Sequence, residues 1–146
     1  MSDRVEILLV EDNETDAELC IHALKRHHFA NNLVWLKDGA DALDFLFGEG
    51  EYVGRPVWNK PSLILLDLRM PKVDGIEVLR RVKADEHLMS IPVVVLTSST
   101  ENPDLKECYR LGANGYTSKP VEFEAFADVA AKIGMYWLLI NRTATA

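Results

Sequence analysis

The stretch Leu63-Ile64-Leu65-Leu66-Asp67-Leu68-Arg69-Met70-Pro71 sets four aliphatic residues directly before a carboxylate and a loop that reaches a proline. An aliphatic run this short suits a strand buried on both faces of a parallel sheet, where alternation of apolar and polar residues is not required. The arrangement recurs along the chain. Ile7 to Val10 stops at Glu11 and Asp12, Val93 to Leu96 at Thr97, and Gly115 to Ser118 at Lys119. Parallel strands present their carboxyl ends on one edge of the sheet, and in open α/β folds ligands bind at that edge. Three carboxylates, a hydroxyl and an ammonium are therefore expected in one crevice.

Between these strands lie segments with helical spacing, and strand alternating with helix argues for an α/β fold. The first helix is expected to begin near Asn13 to Thr15 and to turn Ala17, Cys20 or Ile21, and Leu24 to the sheet. Leu33 to Leu36 reads as a second strand. A helix from about Gly39 to Phe47 packs Leu43, Leu46 and Phe47, and Ile76, Leu79 and Val82 mark the next, after Asp74-Gly75. Asn102-Pro103-Asp104 has the form of an N-cap followed by proline at the first helical position, with Gly112 placed to end that helix in a left-handed conformation. From Gly48 to Pro61, glycines, prolines, Tyr52 and Trp58 interrupt any periodicity, which implies an ordered loop or small flap.

The last helix is expected over about 121–140, with Phe126, Val129, Ala130, Ile133 and Trp137 along one face. Met135 to Ile140 is apolar on every side. A sheet covers one side of a helix, so Met135, Tyr136, Trp137, Leu138 and Ile140 are expected to meet a partner, a second copy of this chain being one candidate. The alternative is a terminal helix folded back on its own surface.

A length of 146 residues fits one domain, here taken as 1–146 with a core of about 5–140, large enough to fold without staples. Sixteen Lys and Arg against 23 Asp and Glu give a net charge of -7, which disfavours nucleic acid as a partner. Cys20 and Cys108 lack metal or redox spacing and read as buried thiols of a reducing compartment. Met1-Ser2-Asp3-Arg4 leads into a run too short for a signal peptide, and no stretch approaches the ~20 apolar residues of a membrane span, so a cytoplasmic protein is expected. His22, His27, His28 and His87 show no ligand spacing and are expected at the surface.

Unit charges ~4 Å apart repel by about 4 kcal/mol at an effective dielectric of 20, so Glu11, Asp12 and Asp67 brought together require a proton or a cation. Oxygen ligands open to water suit Mg²⁺, which keeps several waters and bridges carboxylate to phosphate. Glu11 and Asp12 as mere helix caps would leave Asp67 unexplained. A carboxylate at a strand end is also a competent nucleophile towards phosphorus. Phosphoryl transfer demands positioning and cancellation of charge on the equatorial oxygens, a task to which a cation, Lys119 and Thr97 are suited.

Four stretches carry a resemblance: Ile7-Leu8-Leu9-Val10-Glu11-Asp12-Asn13, Leu65 through Gly75, Val94-Val95-Leu96-Thr97, and Gly112-Ala113-Asn114-Gly115-Tyr116-Thr117-Ser118-Lys119-Pro120. In this order they resemble the receiver domains of two-component response regulators, over about Val5 to Ile140. The resemblance implies a flavodoxin-like open five-stranded parallel sheet in the order 2-1-3-4-5, with helices on both faces. It implies Asp67 as phosphoacceptor, with Asp12, Asp67 and the backbone carbonyl of Arg69 on Mg²⁺ and Glu11 assisting through water. Lys119 and Thr97 would contact the phosphoryl oxygens, Thr97 and Tyr116 would form a switch, and the Lys119–Pro120 bond would be cis. Tyr116 as a static, half-buried strand aromatic and Pro120 as an ordinary trans proline are the plain alternatives. Arg69 and Ser99 lie two residues beyond Asp67 and Thr97, positions that in receivers tune phosphoryl lifetime. The 48–61 loop and Tyr136-Trp137 further resemble the small response regulators associated with phytochrome-type kinases.

The resemblance implies a single-domain regulator that takes a phosphoryl group from a histidine kinase or phosphotransfer protein and turns over no external substrate. With Asn141 to Ala146 after the last helix, an output domain is not expected, and signalling is expected through protein contacts. An aspartate-nucleophile phosphohydrolase would carry a second acid where Arg69 stands. A flavin-binding module would need a Ser/Thr/Gly-rich phosphate loop where Glu11-Asp12 stands. A scaffold without phosphorylation would not need all five crevice residues.

Overall fold

A computed structural model describes residues 5–28, 32–56 and 59–141. Every residue of β1 (Ile7–Val10) and β3 (Leu63–Leu66) is buried, because helices cover both faces of the sheet they centre. The side-chain period of two is present but hidden, since both faces of these strands are apolar. Ile7, Leu9, Leu63 and Leu65 join Val94 and Leu96 in one core layer, under α1 (Glu14–Arg26) and α5 (Phe123–Met135). Leu8, Val10, Ile64 and Leu66 join Val93 and Val95 in the other, under α2 (Gly39–Phe47), α3 (Gly75–Ala84) and α4 (Asn102–Leu111).

With β2 (Leu33–Leu36), β4 (Val93–Thr97) and β5 (Gly115–Ser118), the sheet has five strands in the order 2-1-3-4-5, all paired parallel. The direction of winding reverses between β1 and β3, and there an open sheet of this kind leaves a crevice at its carboxyl edge. The flavodoxin-like α/β reading is thereby met.

Three helices, α1, α2 and α3, start where their sequences supply side-chain caps. Asn13 Oδ1 accepts from the Asp16 N–H at 2.9 Å, and Asp38 and Asp74 accept from the N–H groups of Asp41 and Glu77 at 2.8 and 3.0 Å. α4 departs from expectation: its N-cap is Glu101, with no side-chain cap, and Asn102 is already helical, so Pro103 sits one position further in. Proline is tolerated there because the first-turn N–H groups have no partner within the helix. Gly112 ends α4 at φ 110°, as its sequence position suggests.

The last helix does not run uniformly over 121–140. After Met135 the chain passes into one π-helical turn, Tyr136–Ile140, which closes where the Asn141 N–H donates to the Tyr136 carbonyl. The turn divides the apolar cluster. Trp137 and Leu138 pack on the α1 side of the core, whereas Met135, Tyr136, Leu139 and Ile140 remain exposed.

The segment after α2 is ordered by a 3₁₀ turn, Gly50–Tyr52, and by Arg55, whose guanidinium lies over the Phe45 ring and donates to the Phe45 and Asn59 carbonyls at 2.7 and 2.8 Å. Cys20 and Cys108 are free and buried, and the four histidines are exposed. Among the described residues no helix is long and apolar enough to cross a membrane. Trp58, the Met1 to Arg4 terminus and residues 142–146 lie outside the described residues.

Candidate functional site

Three residues at the carboxyl edge are fixed by backbone hydrogen bonds that carry the sheet ladder one residue beyond a strand. The Glu11 N–H donates to the Leu36 carbonyl at 3.0 Å, the Asp67 N–H to the Val10 carbonyl at 3.0 Å, and the Lys119 N–H to the Thr97 carbonyl at 2.7 Å. The aliphatic runs thus do more than form a core. They hold the residues that follow them at set places along the edge.

Carboxylate oxygens of Glu11, Asp12 and Asp67 lie within 4.8 Å of one another. Glu11 and Asp67 are buried and Asp12 is exposed, so the cluster opens to water on the Asp12 side. Hard anionic oxygens, gathered at this spacing and wet on one side, fit a divalent cation that retains part of its water. Burial, the largest influence, and the neighbouring Asp67 charge push the Glu11 carboxyl up to about 7, although a hydrogen bond from Lys119 opposes them.

Lys119 reaches into this cluster from the end of β5. Its Nζ lies 2.7 Å from Glu11 Oε1, 2.8 Å from Asp16 Oδ2 and 3.6 Å from Asp67 Oδ2, with its side chain 8% exposed. Burial works against its charge, but hydrogen bonds to Asp16 and Glu11 outweigh it and raise the ammonium above the ordinary lysine range. The Lys119–Pro120 bond is trans, as are all described peptide bonds, which corrects the expected cis geometry. The ladder bond to Thr97 and the two close carboxylates aim the lysine without it, and trans is the lower-energy form by about 0.5–1 kcal/mol.

Thr97 is fully buried at the end of β4, and its Oγ1 accepts from the Ser99 N–H at 3.3 Å. Tyr116 is half-buried on β5, and its hydroxyl donates to the Ser99 carbonyl at 3.1 Å. Both therefore engage the loop that joins β4 to α4. Arg69 turns outward across the mouth, where its guanidinium meets Asp104 Oδ2 at 2.7 Å and Glu101 Oε2 at 3.2 Å. Ser99 Oγ donates to the same Asp104 oxygen at 2.6 Å.

The structure thus gathers Glu11, Asp12, Asp67 and Lys119 and sets Thr97 beside Lys119 on the neighbouring strand. It leaves the apolar set Met135 to Ile140 elsewhere, at the carboxyl end of α5. Sequence reasoning misses Asp16. An acid in the first turn of α1 carries no separate signal, because Asp12 lies before the Asn13 cap and outside the helix, so no helical spacing links the two acids.

The parallel sheet and its acidic edge define a class, and the response regulator receiver domain model matches residues 7–131. The chain belongs to that family, the receivers of two-component signalling. Its relatives include the probable methanogenesis regulatory protein FilR2 of Methanothrix harundinacea, 47% identical over 138 residues, which span 94% of this chain and 86% of the relative. Response regulator Rcp1 of Synechocystis sp. is 41% identical over 132 residues, 90% of this chain and 88% of Rcp1. The Mn²⁺-bound form of Rcp1 superposes with a TM-score of 0.87 at 39% identity, covering 94% of this chain and 97% of that one. The phosphorylated cyanobacterial phytochrome response regulator RcpA superposes with a TM-score of 0.90 at 37% identity, covering 97% and 99%.

Proposed function

We propose that Asp67 is the phosphoacceptor of a single-domain response regulator, charged by a histidine kinase or phosphotransfer protein. An Asp67 oxygen attacks the phosphorus of a phosphohistidine, the P–N bond breaks, and the departing imidazole keeps the electron pair and takes a proton. Asp12, Asp67 and the backbone carbonyl of Arg69 would hold Mg²⁺, with Glu11 acting through water. Bound there, the cation would offset charge on the phosphoryl oxygens. Lys119 and Thr97 would bind those oxygens, and Thr97 and Tyr116 would pass the change to the surface around α4 and β5.

The observation that carries this reading is the Lys119 ammonium 3.6 Å from Asp67, within a cluster of three carboxylates at the open edge of the sheet. The likeness to RcpA and Rcp1 supports a phytochrome-type kinase as the donor. The exposed Met135, Tyr136, Leu139 and Ile140 support a homodimer through the end of α5. On this reading the chain turns over no external substrate, acts in the cytoplasm and does not engage nucleic acid.

Incubation with acetyl phosphate, with and without Mg²⁺, followed by intact mass measurement, tests the chemistry. One phosphoryl adduct is expected with metal and none in Asp67→Asn. An adduct that persists in Asp67→Asn would sink the assignment. Sedimentation at several concentrations tests the dimer, and a monomer at all of them, phosphorylated or not, would remove it.

A further inference from the structure

Lys119 is held by a residue outside the acidic cluster. An ammonium has three N–H donors, and here Glu11 lies at 2.7 Å and Asp16 at 2.8 Å, both at full hydrogen-bond distance. Asp67, at 3.6 Å, is beyond it. Asp16 belongs to α1, 103 residues away in sequence, and its backbone is anchored in turn by the Asn13 cap. It is not among the three acids whose oxygens converge within 4.8 Å. A cation held by Asp12 and Asp67, with Glu11 turned to its water, would draw on those carboxylates and leave Asp16 as the lysine's own counter-charge.

We propose that Asp16 is a positioning residue: it holds the Lys119 ammonium back from Asp67, which keeps the Asp67 oxygen open to cation and phosphodonor and one lysine N–H open to the incoming phosphoryl oxygen. The proposal rests on the phosphoacceptor reading of Asp67. Without the Asp16 charge, the carboxylates left to Lys119 are Glu11 and Asp67, and the ammonium closes on Asp67. A lone pair of the nucleophile is then engaged, and the lysine competes with the cation for the same oxygen.

The test is a double-mutant cycle between positions 16 and 119, using Asp16→Asn, Lys119→Met and the pair, with Asp16→Glu as the conservative variant. Mg²⁺ titration followed by tryptophan fluorescence needs no phosphodonor. Trp35 is a suitable reporter because its indole N–H donates to the Glu11 carbonyl at 2.8 Å. Asp16→Asn is expected to weaken Mg²⁺ binding about tenfold in the wild-type background and less than about twofold in Lys119→Met, with Asp16→Glu restoring most of the loss. With acetyl phosphate, the maximal rate of adduct formation in Asp16→Asn is expected to fall about tenfold while the half-saturating donor concentration stays unchanged.

Equal weakening in both backgrounds would show that Asp16 acts as bulk charge and overturn the proposal. So would an Asp16→Asn protein that binds metal as the wild type does or phosphorylates faster. If the wild type takes no phosphoryl group at all, the phosphoacceptor reading fails, and the metal cycle still decides whether Asp16 acts through Lys119.

Discussion

The guanidinium of Arg69, in the loop after β3, lies 2.7 Å from the carboxylate of Asp104 in the first turn of α4. Asp104 also accepts from Ser99 Oγ, and Ser99 offers its carbonyl to Tyr116, so one carboxylate ties the mouth of the crevice to the outer helix. Arg69 is 63% exposed, and exposed pairs contribute about 0–1 kcal/mol. Arg69→Ala is therefore expected to leave the melting temperature nearly unchanged but to speed amide exchange over residues 102–106. Asp104→Asn, which weakens both the Arg69 and Ser99 contacts, should speed it further. Hydrogen exchange with mass readout checks both, and equal protection in all three proteins would show that the pair does not hold α4.

Gly75 opens α3 directly behind the site. A Cβ built there would lie 2.1 Å from the Asp67 carbonyl oxygen and 2.8 Å from Leu68 Cα, both backbone atoms that cannot rotate away. Gly75→Ala is expected to cost about 2–4 kcal/mol in urea unfolding. Because the relief must come from the Asp67–Leu68 backbone, Mg²⁺ affinity should fall as well. Gly54→Ala is the control for crowding, since no atom lies within 4 Å of its added Cβ, although its φ of 95° carries a conformational cost of its own.

The acidic cluster also predicts how metal acts on stability. A cation that binds the folded chain alone stabilises it by about 2.7 kcal/mol at 100 times its dissociation constant. For a chain of this size that corresponds to a rise in melting temperature of about 5–10 °C. Asp12→Asn and Asp67→Asn are expected to abolish the rise. Without metal, Asp67→Asn should be at least as stable as the wild type, because it removes one of three mutually repelling carboxylates. Thermal melts with and without Mg²⁺ read both effects.

The crevice is legible in the sequence because each of its main residues follows an uninterrupted aliphatic or strand-like run, and a parallel sheet sends the ends of such runs to one edge. Asp16 is not, since an acid in the first turn of a helix is explained by the helix dipole alone. The contacts of Arg69 depend on how two loops fold towards each other, which no periodicity records. The split of Met135 to Ile140 is hidden for a related reason: six apolar residues in succession give no face, and the π turn that divides them sets Trp137 and Leu138 against the core layer that α1 and α5 cover. The trans Lys119–Pro120 bond shows the limit of family resemblance, because the ladder bond to Thr97 and the ion pairs already aim the lysine.

Lys83, far from the acidic edge, tests how the opposite end of the sheet is closed. Its ammonium donates to the Met89 and Ile91 carbonyls at 3.0 and 2.7 Å and to Asn114 Oδ1 at 2.9 Å, joining the loop after α3 to the loop before β5. Lys83→Met is expected to cost about 1–3 kcal/mol at pH 7, because three acceptors lose their donor. Burial pushes the ammonium down to about 8 from an ordinary 10.5. Between these values the unfolded chain binds more protons at this position than the folded chain, so this group's contribution to stability grows as pH rises. The gap in unfolding free energy between wild type and Lys83→Met should therefore widen from about pH 7 to about pH 10. A gap that narrows in urea melts over that range would mean that the three acceptors, not burial, govern the charge of Lys83.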